Sequence, residues 1–188
     1  MRKYSSKTCI FSGGVFQLLM IIATCLPRAS AAQQTVIIVR HGEKIEKLES
    51  VDIDKDANDV KDAKDPPLSV VGMARADKLA QMLSATKINA IYVTQYRRTA
   101  MHATPLAKRQ GITPMVVPAA DTAGLIKRLA SHGADETVLV VGHSNTVPLV
   151  LKGLGAVEEV KLTEDEYDNL FMVVPKPGAA PTVTRLKY

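Results

Sequence analysis

The sequence predicts an α/β protein: a three-layer sandwich with a mainly parallel sheet flanked by helices. Three observations carry this. The short runs Thr35–Val39 (TVIIV), Ala90–Val93 (AIYV) and Thr137–Val141 (TVLVV) have the unbroken, β-branched character of strands buried on both faces. Stretches with helical periodicity and helix caps alternate with them. The 188 residues, 46% hydrophobic and 23% charged, supply one core and little more.

In chain order, residues 1–32 read as a leader. Arg2, Lys3 and Lys7 form a positive start, and an apolar stretch runs from Cys9 to Leu26, broken by Ser12, Gly13, Gly14 and Gln17. Ala29-Ser30-Ala31 then offers small residues for cleavage near Ala31 or Ala32. The expectation is a cleaved export signal over 1–32 and one domain over 33–188 in the periplasm or outside the cell. A retained membrane anchor is one alternative. A lipoprotein signal at Cys25 is the other, although Thr24 and Pro27 suit it poorly. Both cysteines, Cys9 and Cys25, fall in the leader, so the mature domain is expected to hold no disulfide, zinc-thiolate site or cysteine nucleophile.

The first strand is Thr35–Val39. From Glu43 to Asp65 the chain is charged and reads as a solvated loop ended by Pro66-Pro67, with a mobile flap over a pocket as the functional alternative. Its six aspartates (Asp52, Asp54, Asp56, Asp59, Asp62, Asp65) lack the spacing and glycine of an EF-hand. Ser69 is expected to cap a helix running to about Ala85, with Val71, Ala74, Leu79, Met82 and Leu83 toward the core. Strand Ala90–Val93 precedes a helix from Arg97 to Gln110, closed by Gly111. A short strand is expected over Thr113–Val117. A helix capped by Asp121 or Thr122 follows, ending at His132-Gly133. Strand Thr137–Val141 leads into a helix from Asn145 to Lys152. Phe171–Val174 and Thr182–Leu186 read as two late strands joined by a turn rich in Pro and Gly, an edge hairpin.

Charge narrows the function. The net charge is +5, but the leader holds Arg2, Lys3, Lys7 and Arg28 and no acid, which leaves 20 basic against 19 acidic residues. With 4% aromatics and no Trp as well, neither a nucleic-acid footprint nor a base-stacking surface is expected.

Ligands of parallel sheets gather beyond the carboxyl ends of the strands. There the sequence places Arg40-His41-Gly42, then Thr94 to Arg98, then Gly142-His143-Ser144. His41 and His143 lie 102 positions apart in the same local context. Arginine forks match the oxygens of phosphate, one imidazole can act as nucleophile and a second can donate to developing charge. Gly42 and Gly142 leave room for close backbone approach.

These residues also carry a resemblance. VRHGEK at 39–44 resembles the Arg-His-Gly signature of the histidine phosphatase superfamily, also called the phosphoglycerate-mutase-like family. PPLSVVGMARA at 66–76, IYVTQYRRTAMHATPLA at 91–107 and VLVVGHSNTVP at 138–148 resemble its later elements, in order. The resemblance implies a phosphoglycerate-mutase-like sandwich and a phosphatase acting on a small phosphorylated substrate, with no metal or other cofactor. It implies that His41 becomes a phosphohistidine, while Arg40, Arg98 and His143 hold the phosphoryl oxygens. Ser144 and Asn145 either cap the following helix or offer N–H groups to the phosphate. The family's usual Ser-Pro before the second arginine is Thr94-Gln95 here, and its usual Thr one turn later is His102.

The proton donor is not fixed by the pattern. Asp121 is the first candidate and Glu43, beside the nucleophile, the second; their structural roles would be a helix cap and a pair with Lys44. Arg97 is expected to face solvent, and His102 and His132 to be structural or surface residues. The competing functions are a non-catalytic phosphate-binding envelope protein and a phosphoglycerate mutase. Oligomeric state and substrate identity are not legible.

Overall fold

The computed structural model describes residues 33–45 and 65–188. The leader, both cysteines and most of the charged stretch after Glu43 lie outside them. The elements alternate: β1 (Thr35–Arg40), α1 (Val70–Met82), β2 (Ala90–Val93), α2 (Arg97–Gln110), β3 (Met115–Val116), α3 (Thr122–Leu129), β4 (Thr137–Gly142), α4 (Thr146–Gly153), β5 (Asn169–Lys176) and β6 (Ala179–Lys187). One six-stranded sheet has the order β3-β2-β4-β1-β5-β6. The first four strands in that order run parallel; β5 is antiparallel to β1, and β6 to β5. The hairpin forms one flank of the sheet, where β6 is the edge strand and β5 is not; β3 is the opposite edge.

Alternation along the strands builds two apolar layers. Ile37, Val39, Ile91, Val93, Leu139 and Val141 meet Leu79, Leu83 and Leu106 of α1 and α2 and the segment after α1. Val36, Ile38, Val138 and Val140 meet Leu125, Leu129, Val150 and Leu151 of α3 and α4. Both faces of the central strands are therefore buried, which is why their sequences are continuous apolar runs rather than alternating ones.

This layering creates the site's location. The chain leaves β1 toward the α1/α2 layer and leaves the adjacent β4 toward the α3/α4 layer. Neighbouring parallel strands whose connections diverge to opposite faces open a crevice at their carboxyl ends. Arg40 pairs with Gly142 across that junction, and the His41 amide donates to the Gly142 carbonyl at 3.0 Å.

Two elements end sooner than expected. Only Met115–Val116 of the third strand pairs, and α3 stops at Leu129 before a turn. His132 lies in that turn, bonded to Glu136 and, at 3.0 Å, to the Tyr92 hydroxyl.

The buried face of α1 also differs. Val71 and Met82 are exposed, as is Ala74, while Gly72, Ala76, Leu79 and Ala80 are buried. The helix start packs backbone to backbone on the loop after β1. A Cβ on Gly72 would lie 2.2 Å from the Glu43 carbonyl oxygen, and one on Gly42 would lie 2.8 Å from that of Gly72. Close approach selects small residues there, so a reading by hydrophobic size finds Leu79 and Leu83 but misplaces Val71, Ala74 and Met82. Gly72→Ala is expected to destabilise the protein by about 1–3 kcal/mol, because backbone must shift to admit the methyl group; the midpoint of denaturant unfolding measures this.

Candidate active site

His41 and His143 each follow a central strand by one residue, and the pairing of β1 with β4 brings them together. Their ring centroids are 5.1 Å apart at an interplanar angle of 69°. The third strand end contributes Thr94, and the first turn of α2 contributes Arg98.

The hydrogen bonds set the state of each imidazole. His41 Nδ1 lies 2.7 Å from the Gly42 carbonyl oxygen. A carbonyl only accepts, so Nδ1 carries the proton. The lone pair is then on Nε2, which receives a hydrogen bond from Arg98 Nε at 3.1 Å. His143 Nε2 lies 2.9 Å from the Thr94 hydroxyl, and its Nδ1 lies 3.5 Å from an Arg98 Nη. Arg98 can only donate, so the proton of His143 is on Nε2 and goes to Thr94. Thr94 is fixed in turn by Thr99, whose hydroxyl donates to the Tyr96 carbonyl at 2.8 Å.

Burial, together with the charges of Arg98 and Arg40, pushes the His41 pKa down to about 3, against a partial offset from its bond to Gly42. His143 is pushed down to about 3 by burial and then by His41 and the two arginines. Both rings are neutral at physiological pH, as a nucleophile and a polar donor require. His102 is likewise pushed down, to about 4, by burial and Arg75. Unfolding would return all three rings to an ordinary pKa near 6.5. Between about pH 3 and 6.5 the unfolded chain thus binds more protons, and stability rises with pH. Their contribution is complete above pH 6.5 and lost progressively as the pH falls toward 3. Denaturant midpoints measured from pH 7 to pH 4 are expected to fall, and imidazole NMR is expected to show no midpoint near 6.5 for these rings.

Arg40 is 2% exposed and is gripped by a segment that follows no strand. Its Nη1 donates to the carbonyls of Thr163 (2.8 Å) and Glu166 (3.1 Å), and its Nη2 to Glu164 Oε2 (3.0 Å). Its guanidinium lies 4.0 Å from the centre of the Tyr167 ring. Its Nε is buried with no hydrogen-bond partner among the described residues, a donor that an anion could satisfy. Because β5 runs antiparallel to β1, the residues before it arrive at the same end of the sheet. Thr163–Tyr167 (TEDEY) enters the site by that route, and its position before a strand was the available signal.

A carboxylate matches each guanidinium. Glu164 reaches Arg40 and also accepts from Ser144 Oγ at 2.9 Å; those two partners, Ser144 foremost, hold its pKa below the usual range. Asp65 lies 3.3 Å from an Arg98 Nη and accepts from the Arg97 amide at the start of α2, a favourable place for an anion at a helix N-terminus. Tyr96 stacks under Arg98 at 4.3 Å.

The expected proton donors are placed differently. The Glu43 carboxylate is held by Arg75, whose Nε lies 3.0 and 3.2 Å from its two oxygens, and that pairing holds its pKa below the ordinary carboxylate value. It is ionised at neutral pH, and its partner is Arg75 rather than Lys44. Asp121 caps α3, accepting from the Gly124 amide at 2.9 Å, and lines an apolar cleft together with Thr94. Arg97 is half-buried rather than solvent-facing. His102 is wholly buried and accepts the Gly42 amide. Among the described residues no set of His, Asp and Glu is grouped to hold a metal, and no helix is long and apolar enough to cross a membrane.

A parallel-centred sandwich whose switch point gathers two neutral imidazoles and two guanidiniums has the donors that suit an oxyanion. Residues 36–121 match the family model of the histidine phosphatase superfamily (branch 1). Among solved structures it is similar to the protein histidine phosphatase SixA complexed with tungstate, at 16% identity and a TM-score of 0.63, over 81% of this chain and 96% of that one. It is similar to a mycobacterial glucosyl-3-phosphoglycerate phosphatase at 14% identity and a TM-score of 0.59, over 82% and 97%. A mycobacterial hydrolase gives 15% identity and a TM-score of 0.58, over 80% and 95%. At these identities the likeness is one of fold. A search of curated proteins finds no match.

Proposed function

We propose that the protein is a phosphatase that hydrolyses phosphomonoesters through a phosphohistidine on His41. The observation that carries this is the tautomer: Nδ1 is committed to the Gly42 carbonyl, and the Nε2 lone pair faces Arg98 in a pocket with His143. His41 Nε2 attacks phosphorus, the ester P–O bond breaks, and the leaving oxygen takes a proton from a carboxylic acid. Water then attacks the phosphoryl group, the P–N bond breaks, and inorganic phosphate leaves. Arg40 and Arg98 stabilise the equatorial oxygens throughout, His143 joins them when its ring turns its proton from Thr94 to the anion, and Ser144 lies within reach of them. Supplying that charge through guanidinium groups fits a reaction that is mostly positioning and electrostatics.

The proton donor is assigned to a carboxylate at the rim. Asp121 shares a cleft with Thr94 and is the candidate; Glu164, held ionised by Ser144 and Arg40, serves as the comparison. Asp121→Asn keeps a good helix cap, and Glu164→Gln keeps the side chain's shape. The donor's variant is expected to lose rate on alkyl phosphates while sparing p-nitrophenyl phosphate, whose leaving group needs no proton. Equal losses on both substrates would remove that residue from the role.

The experiment that tests the reading is release of inorganic phosphate from a panel of sugar phosphates, nucleotides, phosphopeptides and phospholipids, with EDTA present. Turnover that survives EDTA supports it. Phosphate binding without turnover would instead favour a binding protein, and phosphoryl exchange between phosphoglycerates a mutase. Residues 1–32 support placing the enzyme beyond the cytoplasmic membrane; fractionation of expressing cells tests this.

A further inference from the structure

We propose that His102, held by the Tyr188 hydroxyl, is a positioning residue for the nucleophile: it pins the Gly42 backbone that fixes the His41 ring. The proposal rests on the phosphatase reading for its kinetic consequences and on geometry alone for the rest. His102 is in the middle of α2 with no exposure to solvent. Its Nδ1 accepts from the Gly42 amide at 3.1 Å, and its Nε2 lies 3.0 Å from Tyr188 Oη. A nitrogen that accepts carries no proton, so the neutral ring's proton is on Nε2 and goes to the tyrosine. Burial keeps that ring neutral.

Tyr188 is itself anchored. It follows β6, which the hairpin returns to the site's end of the sheet. Its amide donates to the Asp168 carbonyl at 2.9 Å, and its carbonyl accepts from Arg75 Nη1 at 3.1 Å. Arg75 also holds Glu43. The Gly42–Glu43 segment is thus gripped twice from one buried cluster. Gly42 is the most pliable residue type, and its carbonyl is the group that decides which His41 nitrogen carries the proton. If the Gly42 backbone turns, His41 Nδ1 loses its acceptor and the Nε2 lone pair is no longer assured. Where the superfamily pattern has Thr, this chain has an imidazole long enough to span from Gly42 to Tyr188.

Three variants test this. His102→Asn keeps an acceptor where Nδ1 stood. His102→Leu removes it. Tyr188→Phe keeps the ring and deletes only the hydroxyl, freeing His102 to put a proton on Nδ1, where it would face the Gly42 amide donor to donor. The first readout is the His41 tautomer from imidazole nitrogen and proton NMR, recorded without substrate. Wild type and His102→Asn are expected to show the proton on Nδ1, and His102→Leu and Tyr188→Phe a mixture with Nε2. The second readout is the split of kcat from KM on a phosphomonoester. A misplaced nucleophile costs roughly 10- to 100-fold in kcat, with KM unchanged because Arg40, Arg98 and His143 are untouched; His102→Asn should recover most of it. A His41 tautomer unchanged in His102→Leu, or a loss carried by KM, overturns the proposal. Should His102→Leu fail to fold, an unchanged tautomer in Tyr188→Phe overturns it instead. Since the tautomer is read without turnover, a wild-type protein that hydrolyses nothing refutes the phosphatase reading and still leaves this one decided.

Discussion

Replacing His41 by alanine is expected to lower kcat on the order of 10⁴- to 10⁶-fold, the scale on which enzymes lose rate when a covalent nucleophile is removed. No neighbour can take over. His143 has its proton directed at Thr94 and its acceptor nitrogen toward Arg98, and Glu43 is ionised on Arg75. The variant should nevertheless fold, because His41, although buried, lies beyond the end of β1 and belongs to neither apolar layer. It should also still bind inorganic phosphate or tungstate, since Arg40, Arg98 and His143 remain. Two measurements bear on this. Rapid acid-free quenching with ³²P-labelled substrate should trap a base-stable phosphoryl adduct on wild type and none on His41→Ala. Turnover of the variant at the wild-type rate, or an adduct elsewhere on the chain, would show that another group attacks phosphorus.

What made this site readable in advance was the periodicity of its frame. TVIIV and TVLVV declare strands buried on both faces, parallel strands collect ligands at their carboxyl ends, and Arg40, His41 and His143 stand at those ends. The contacts that prepare His41 were not readable on the same principle. Thr163–Tyr167 arrives on an antiparallel strand, so its proximity to Arg40 depends on where β5 pairs. His102 looks unremarkable in a helix, because the acceptor role of its Nδ1 depends on an amide 60 positions away. The buried face of α1 joins Leu79, which hydrophobic patterning finds, to Gly72, Ala76 and Ala80, which it does not, and at Gly72 the close backbone of Glu43 leaves room for nothing larger. Asp121 has the sequence context of a cap and forms one. Local pattern determines elements and strand ends; pairings over long sequence distances determine how the groups at those ends are held.

Arg98 is where those long-range pairings converge, and its removal is the second large effect expected. One guanidinium donates to His41 Nε2, reaches His143 Nδ1, pairs with Asp65 and stacks on Tyr96. Its place on the first turn of α2 sets it beside the nucleophile's lone pair, where its guanidinium would meet the phosphoryl oxygens of the proposed substrate. Arg98→Ala is expected to remove ~3–4 kcal/mol of transition-state stabilisation, about 10²- to 10³-fold in kcat/KM. A second signature should accompany it. The Arg98 charge is one of the causes that hold the His41 and His143 pKa values down, so both should rise toward 6.5, and the acid limb of the rate profile should move to higher pH. Arg98→Lys separates the two effects. Lysine keeps the charge, and with it the low imidazole pKa values, but loses the planar fork that spans two oxygens. It should recover part of the rate and leave the acid limb in place. If alanine and lysine lose the same rate with the same pH profile, the residue acts by shape alone; if alanine stays within a few-fold of wild type, the anion is bound elsewhere in the crevice.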